Sequence, residues 1–158
     1  MEAWPAQPDG GWPDGRLLGV DYGTRRIGVA ASDAGRVLAG PRTVVEAGPG
    51  AAAQIARLIV DEEAVGVVVG LPVALDGSDS SMTAAARAFA ADLGEALRVP
   101  VVLHDERFSS TTAESALVEA QMRREARRRV VDKVAAAVML QGYLDALRGG
   151  PGKQQGAS

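Results

Sequence analysis

The 158-residue chain has no cysteine and a single histidine, His104. Without cysteine, disulfides, thiolate nucleophiles and Cys-ligated zinc are all excluded. One imidazole also cannot build a zinc site that needs several. Aromatic residues make up only 4% of the chain, so the core must be filled with aliphatic and small side chains. No run approaches the roughly 18 consecutive apolar residues that a membrane-spanning helix needs, and no membrane partner is expected. The N-terminus lacks the basic start and apolar stretch of a secretory signal. These absences predict a soluble domain of a reducing compartment, expected to be cytoplasmic. Any catalysis must rest on carboxylates, hydroxyls and basic groups.

Hydrophobic residues at 47% and charged residues at 23% are ordinary for a globular protein, and the length suits one domain. Residues 1–15 are rich in Pro and Gly without periodicity and are expected to form a flexible leader; 149–158 are expected to form a flexible tail. Trp4 and Trp12 fall in the leader, so neither is assigned to the core. The domain is expected over 16–148. Net charge is −3, which alone argues against a nucleic-acid partner. Its distribution argues the other way. Between Gln121 and Lys133, six basic residues (Arg123, Arg124, Arg127, Arg128, Arg129 and Lys133) face two acids, Glu125 and Asp132. That net +4 on a body carrying −7 is either a solvated helix face or a surface for an anion such as a phosphate backbone.

Leu17–Val20, Ile27–Ala31 and a segment near Val37–Val45 read as three strands, with a turn at Asp33-Ala34-Gly35. Their short connections permit only antiparallel neighbours. Ala51–Glu63 has helical spacing at Ile55, Leu58 and Ile59. Val65–Val69 reads as a strand, 82–97 as a helix and Val101–Leu103 as a strand. A capping box at Thr111–Glu114 starts a short helix, and an amphipathic helix spans about Val130–Arg148. This order predicts an α/β fold: a mixed five-stranded sheet with helices on its faces.

Three acids end or face apolar elements. Asp21 closes the first strand, Glu106 follows the last, and Asp132 heads a helical stripe of positions 132, 135, 136, 139 and 143. Ligands of open α/β sheets bind beyond the carboxyl ends of strands. Each acid also has a plain structural reading: Asp21 as a turn former, Glu106 as a surface partner of Arg107, Asp132 as a first-turn acid favoured by the helix dipole. If the three converge, their repulsion calls for a counter-ion, and oxygen donors select a hard divalent cation, Mg²⁺ or Mn²⁺. Carboxylates holding such ions suit in-line phosphodiester cleavage.

Asp21-Tyr22-Gly23-Thr24-Arg25-Arg26-Ile27-Gly28-Val29-Ala30, Val69-Gly70-Leu71-Pro72, Asp105-Glu106-Arg107 and Val131-Asp132-Lys133, followed by Ala135-Ala136, resemble the motifs of the YqgF/RuvX family. Its members are described as pre-16S rRNA nucleases or Holliday junction resolvase-like proteins. The resemblance runs from about Leu17 to Leu147 and implies an RNase H-like fold. It places catalytic and metal-binding acids at Asp21, Glu106 and Asp132. The family's hydroxyl pair after the second acid is Thr-Thr preceded by Leu; here Phe108-Ser109-Ser110 keeps the hydroxyls. With the basic cluster, this implies a metal-dependent nuclease processing the 5′ end of pre-16S rRNA, with Arg107, Arg123, Arg124, Arg127, Arg128 and Lys133 on the nucleic acid. The expected partners are structured or single-stranded RNA or branched DNA. Holliday junction resolution is the enzymatic alternative, and a non-catalytic nucleic-acid-binding or scaffold protein the alternative of another class. The Asp21–Thr24 turn also resembles the phosphate turn of actin-like ATPases, but this chain is too short for their two paired domains. No self-complementary apolar patch is evident, so a monomer or weak homodimer is expected.

Overall fold

The computed structural model describes residues 7–23, 25–71, 81–105 and 124–149, with the backbone alone at 81, 82, 124–131 and 149. Among the described residues, five strands are β1 (Arg16–Asp21), β2 (Arg26–Ser32), β3 (Ala39–Glu46), β4 (Ala64–Leu71) and β5 (Val101–Asp105). Among the described residues, the helices are α1 (Ala51–Glu62), α2 (Ser81–Ala96) and α3 (Arg124–Gly149). The sheet order is β3-β2-β1-β4-β5. The β1–β2 and β2–β3 pairs are antiparallel, and β1–β4 and β4–β5 are parallel. The expected mixed sheet is therefore present, and β1, β4 and β5 all end at one edge.

Alternation along the strands divides the core in two. Leu18 and Val20 of β1, with Val67 and Val69 of β4, join Ile55 of α1 and Ala86, Ala90 and Leu93 of α2 on one face. Leu17 and Val68 turn to the other face, against Ala136, Met139, Leu140, Tyr143 and Leu144 of α3. Helices thus cover both faces, which is why β1 and β4 read as nearly continuous apolar runs. Among the described residues, no helix is long and apolar enough to cross a membrane.

The turn after β2 explains why β3 starts at Ala39. The Asp33 carboxylate accepts the N–H groups of Val37 (2.8 Å) and Leu38 (2.9 Å), so both are spent on the turn. These bonds hold its carboxyl below the usual range.

Two expectations need correction. Trp12 is not part of a flexible leader: its ring packs on Gly66 and the α3 cluster, and its Nε1 donates to the Tyr143 hydroxyl at 2.7 Å. Arg36 further ties this segment down by donating to the carbonyls of Pro13 (2.6 Å) and Gly15 (2.8 Å). An indole with one apolar wall and one acceptor can anchor a stretch that has no periodicity. Second, the final helix is already formed at Arg124, the first described residue of its segment, rather than from Val130. Arginine and glutamate are good helix formers but leave no apolar period to read. The expected short helix from Thr111 and the tail beyond Gly149 lie outside the described residues.

Candidate functional site

At the edge where β1, β4 and β5 end, alternation sends Asp21, Gly70 and His104 towards α3, as it does Leu17, Val68 and Val102 below them. On β2 the same face carries Arg26, Gly28 and Ala30. Asp21 is paired directly with Gly28 across the β1–β2 ladder. Gly28 in turn is covered by the helix backbone, because a Cβ there would collide with the carbonyl oxygen of Asp132. One turn further along α3, Leu140 and Ala136 rest on Gly19, where a Cβ would stand 2.7 Å from Leu140 Cβ. Small residues on the sheet thus let α3 lie directly on it. The consequence for the site is that Asp21 and Asp132 occupy adjoining positions at one edge, although 111 residues separate them in the chain.

Asp132 is at least about two turns inside α3, which removes the reading of it as a first-turn acid. Its partner is instead the Arg26 guanidinium, whose Nε donates to Asp132 Oδ2 at 2.5 Å. The two side chains are 25% and 27% exposed, so a ligand can reach both. The expected helical stripe is rotated slightly: Ala136, Ala137, Met139, Leu140, Tyr143 and Leu144 are buried, while Ala135 is half-buried.

His104 meets Tyr143 edge-on, with ring centroids 5.5 Å apart. Burial pushes its imidazole below the ordinary range, against a smaller upward pull from Asp105. Its Nε2 is buried and finds no hydrogen-bond partner among the described residues. Burial likewise pushes the Tyr143 phenol up to about 12, so it stays protonated while accepting the Trp12 N–H.

The structure therefore brings together Asp21 and Asp132. Glu106 follows Asp105, the last residue of β5, and lies outside the described residues, as do Arg107 and Arg123. Arg124, Arg127 and Arg128 fall in α3, N-terminal to Asp132, where the backbone alone is described; Lys133 is half-buried beside Asp132. Among the described residues, no three acids or histidines are grouped closely enough to hold a metal ion. The donor set still has the right chemistry: two carboxylates supply hard oxygens, and one of them already engages a cation. Arg26 is the site residue that sequence reasoning missed. The signal available was its position two residues before Gly28, which puts both on one strand face.

Comparison with known proteins gives concordant results. The pattern of the family described as "RuvX: Holliday junction resolvase" matches residues 15–146. A protein of Sphingopyxis alaskensis named "Putative pre-16S rRNA nuclease" is 44% identical over 144 residues, 90% of this chain and 91% of its own length. A protein of the same name from Paracoccus denitrificans is 41% identical over 136 residues, covering 85% and 86%. Among solved structures, Thermus thermophilus RuvC in complex with a Holliday junction superposes with a TM-score of 0.56 at 14% identity, covering 85% of this chain and 97% of RuvC. A second RuvC structure gives 0.51 at 16% identity, covering 85% and 96%. These likenesses establish an RNase H-like fold.

Proposed function

The chain belongs to the RuvX family, and from that premise we propose that it is a metal-dependent nuclease that hydrolyses phosphodiester bonds, acting on the 5′ end of pre-16S rRNA. The observation that carries this reading is the convergence of Asp21 and Asp132, through Gly28, at the edge where the parallel strands end. Glu106, next in sequence after β5, is proposed as the third acid. A divalent cation, Mg²⁺ or Mn²⁺, held by these carboxylates would polarise the scissile phosphate and lower the pKa of an attacking water. The protein's own contribution is placement: β1 carries Asp21 opposite Gly28, and α3 lays its Asp132 backbone on that same glycine. Arg107, Arg123, Arg124, Arg127, Arg128 and Lys133 are proposed to hold the phosphate backbone, which makes binding sensitive to salt.

The names of the relatives favour RNA and the family description favours junctions, and symmetry separates the two. Resolving a four-way junction by paired cuts needs two sites related by a two-fold axis. The exposed large apolar side chains among the described residues are Val37 and Leu38 on the β2–β3 turn and Val60 on α1, which form no broad patch for a tight dimer. Cleavage of single-stranded RNA, duplex DNA and four-way junctions should be measured side by side with each metal, with light scattering on the same samples. The expected result is a monomer or weak dimer that cuts RNA best. A tight dimer making symmetric nicks in junctions, with RNA uncut, would establish the resolvase instead.

A further inference from the structure

We infer that Arg26 is the resident counter-cation of Asp132, and that a divalent cation and a nucleic-acid phosphate bind the site cooperatively by drawing this pair apart. The inference rests on the nuclease reading for the identity of its two ligands and concerns a residue that this reading does not use. The starting point is the 2.5 Å contact from Arg26 Nε to Asp132 Oδ2, which joins the first residue of β2 to α3 across 106 positions of sequence. Both groups remain about a quarter exposed. An ion pair so open to solvent adds little to stability, so its position beside Asp21 matters more than its contribution to folding.

Two cations compete for one carboxylate. A divalent ion on Asp132 would stand against the guanidinium that now holds it, and like charges at contact distance repel strongly outside bulk water. The ion therefore binds by displacing Arg26. A released guanidinium is a planar, permanently charged fork that fits phosphate oxygens well. Conversely, a phosphate that draws Arg26 away leaves Asp132 free for the ion. Each ligand removes the obstacle to the other, and linkage makes the effect reciprocal. The protein alone is then a weak metal binder that becomes a strong one when the nucleic acid arrives.

The test measures Mn²⁺ binding to the full chain by electron paramagnetic resonance of the free ion. It is run with and without a saturating RNA hairpin made uncleavable by 2′-O-methyl and phosphorothioate substitution. Wild type should bind Mn²⁺ about tenfold more tightly with the RNA than without it. Arg26→Gln should show that tighter binding without RNA and gain nothing further from it, while Arg26→Lys, which keeps the charge but not the fork, should bind Mn²⁺ as weakly as wild type without RNA. Equal Mn²⁺ affinity in wild type and Arg26→Gln overturns the inference and leaves the nuclease reading standing. Absence of Mn²⁺ binding from both, with or without RNA, overturns both. Should Arg26→Gln fail to fold, the Arg26 Nε–H resonance of wild type, followed by NMR during Mg²⁺ titration, decides the matter. It should shift as the ion pair opens; an unmoved resonance with Mg²⁺ bound overturns the inference.

Discussion

His104 stands on the α3 side of β5, edge-on to Tyr143, and burial holds its imidazole below the ordinary value of 6.5. Because folding lowers this pKa, the unfolded chain takes up the proton first as the pH falls. The stability present above about pH 6.5 is therefore lost as the pH drops towards the folded value. Denaturant midpoints measured from pH 8 to pH 5 should fall more steeply for wild type than for His104→Phe, which keeps the ring contact and removes the proton site. Parallel profiles would show that His104 is not the group responsible. Single residues were unevenly legible in the sequence. Asp21 and Asp132 stood out because an acid at the end or head of an apolar run needs a reason. Arg26 and Trp12 did not, since their meaning lies in partners 106 and 131 positions away.

The contact between β2 and α3 sets the site's geometry, and it depends on Gly28. A methyl group there meets helix backbone, which cannot rotate away as a side-chain tip can. Gly28→Ala should cost roughly 1–3 kcal/mol in overpacking and should also depress cleavage, because α3 must move and carry Asp132 with it. Gly94→Ala in α2, where nothing lies within 4 Å of the new methyl, should instead raise the melting temperature slightly. Thermal melting and a cleavage assay on both variants check this, and unchanged cleavage in a destabilised Gly28→Ala would detach the site from this contact. Elements with a continuous apolar run, such as β1 and β4, or with apolar periodicity, such as α1, were readable to within a few residues. The arginine-rich turns of α3 before Val130 were not, because helix propensity without periodicity leaves no face to recognise. The turns before Val130 place Asp132 well inside the helix, which replaces a capping explanation with an ion pair.

At the scale of the molecule, the mixed sheet was legible from connection lengths: short links force antiparallel neighbours, and helical crossovers permit parallel ones. The edge at which the site forms follows from that topology, since three parallel strands must end together. What sequence could not supply was the distance between acids on different elements, which only packing through Gly19 and Gly28 determines. The central claim is that Asp21 and Asp132 act as one carboxylate pair in phosphodiester hydrolysis. Its most direct test is single-turnover cleavage of a pre-16S rRNA 5′-end substrate in Mg²⁺ or Mn²⁺ by wild type, Asp21→Asn and Asp132→Asn, with binding of the same RNA measured in parallel. The account predicts that each variant loses at least about a hundredfold in rate while circular dichroism and RNA affinity stay near wild type. Wild-type cleavage by a folded Asp21→Asn protein would contradict it.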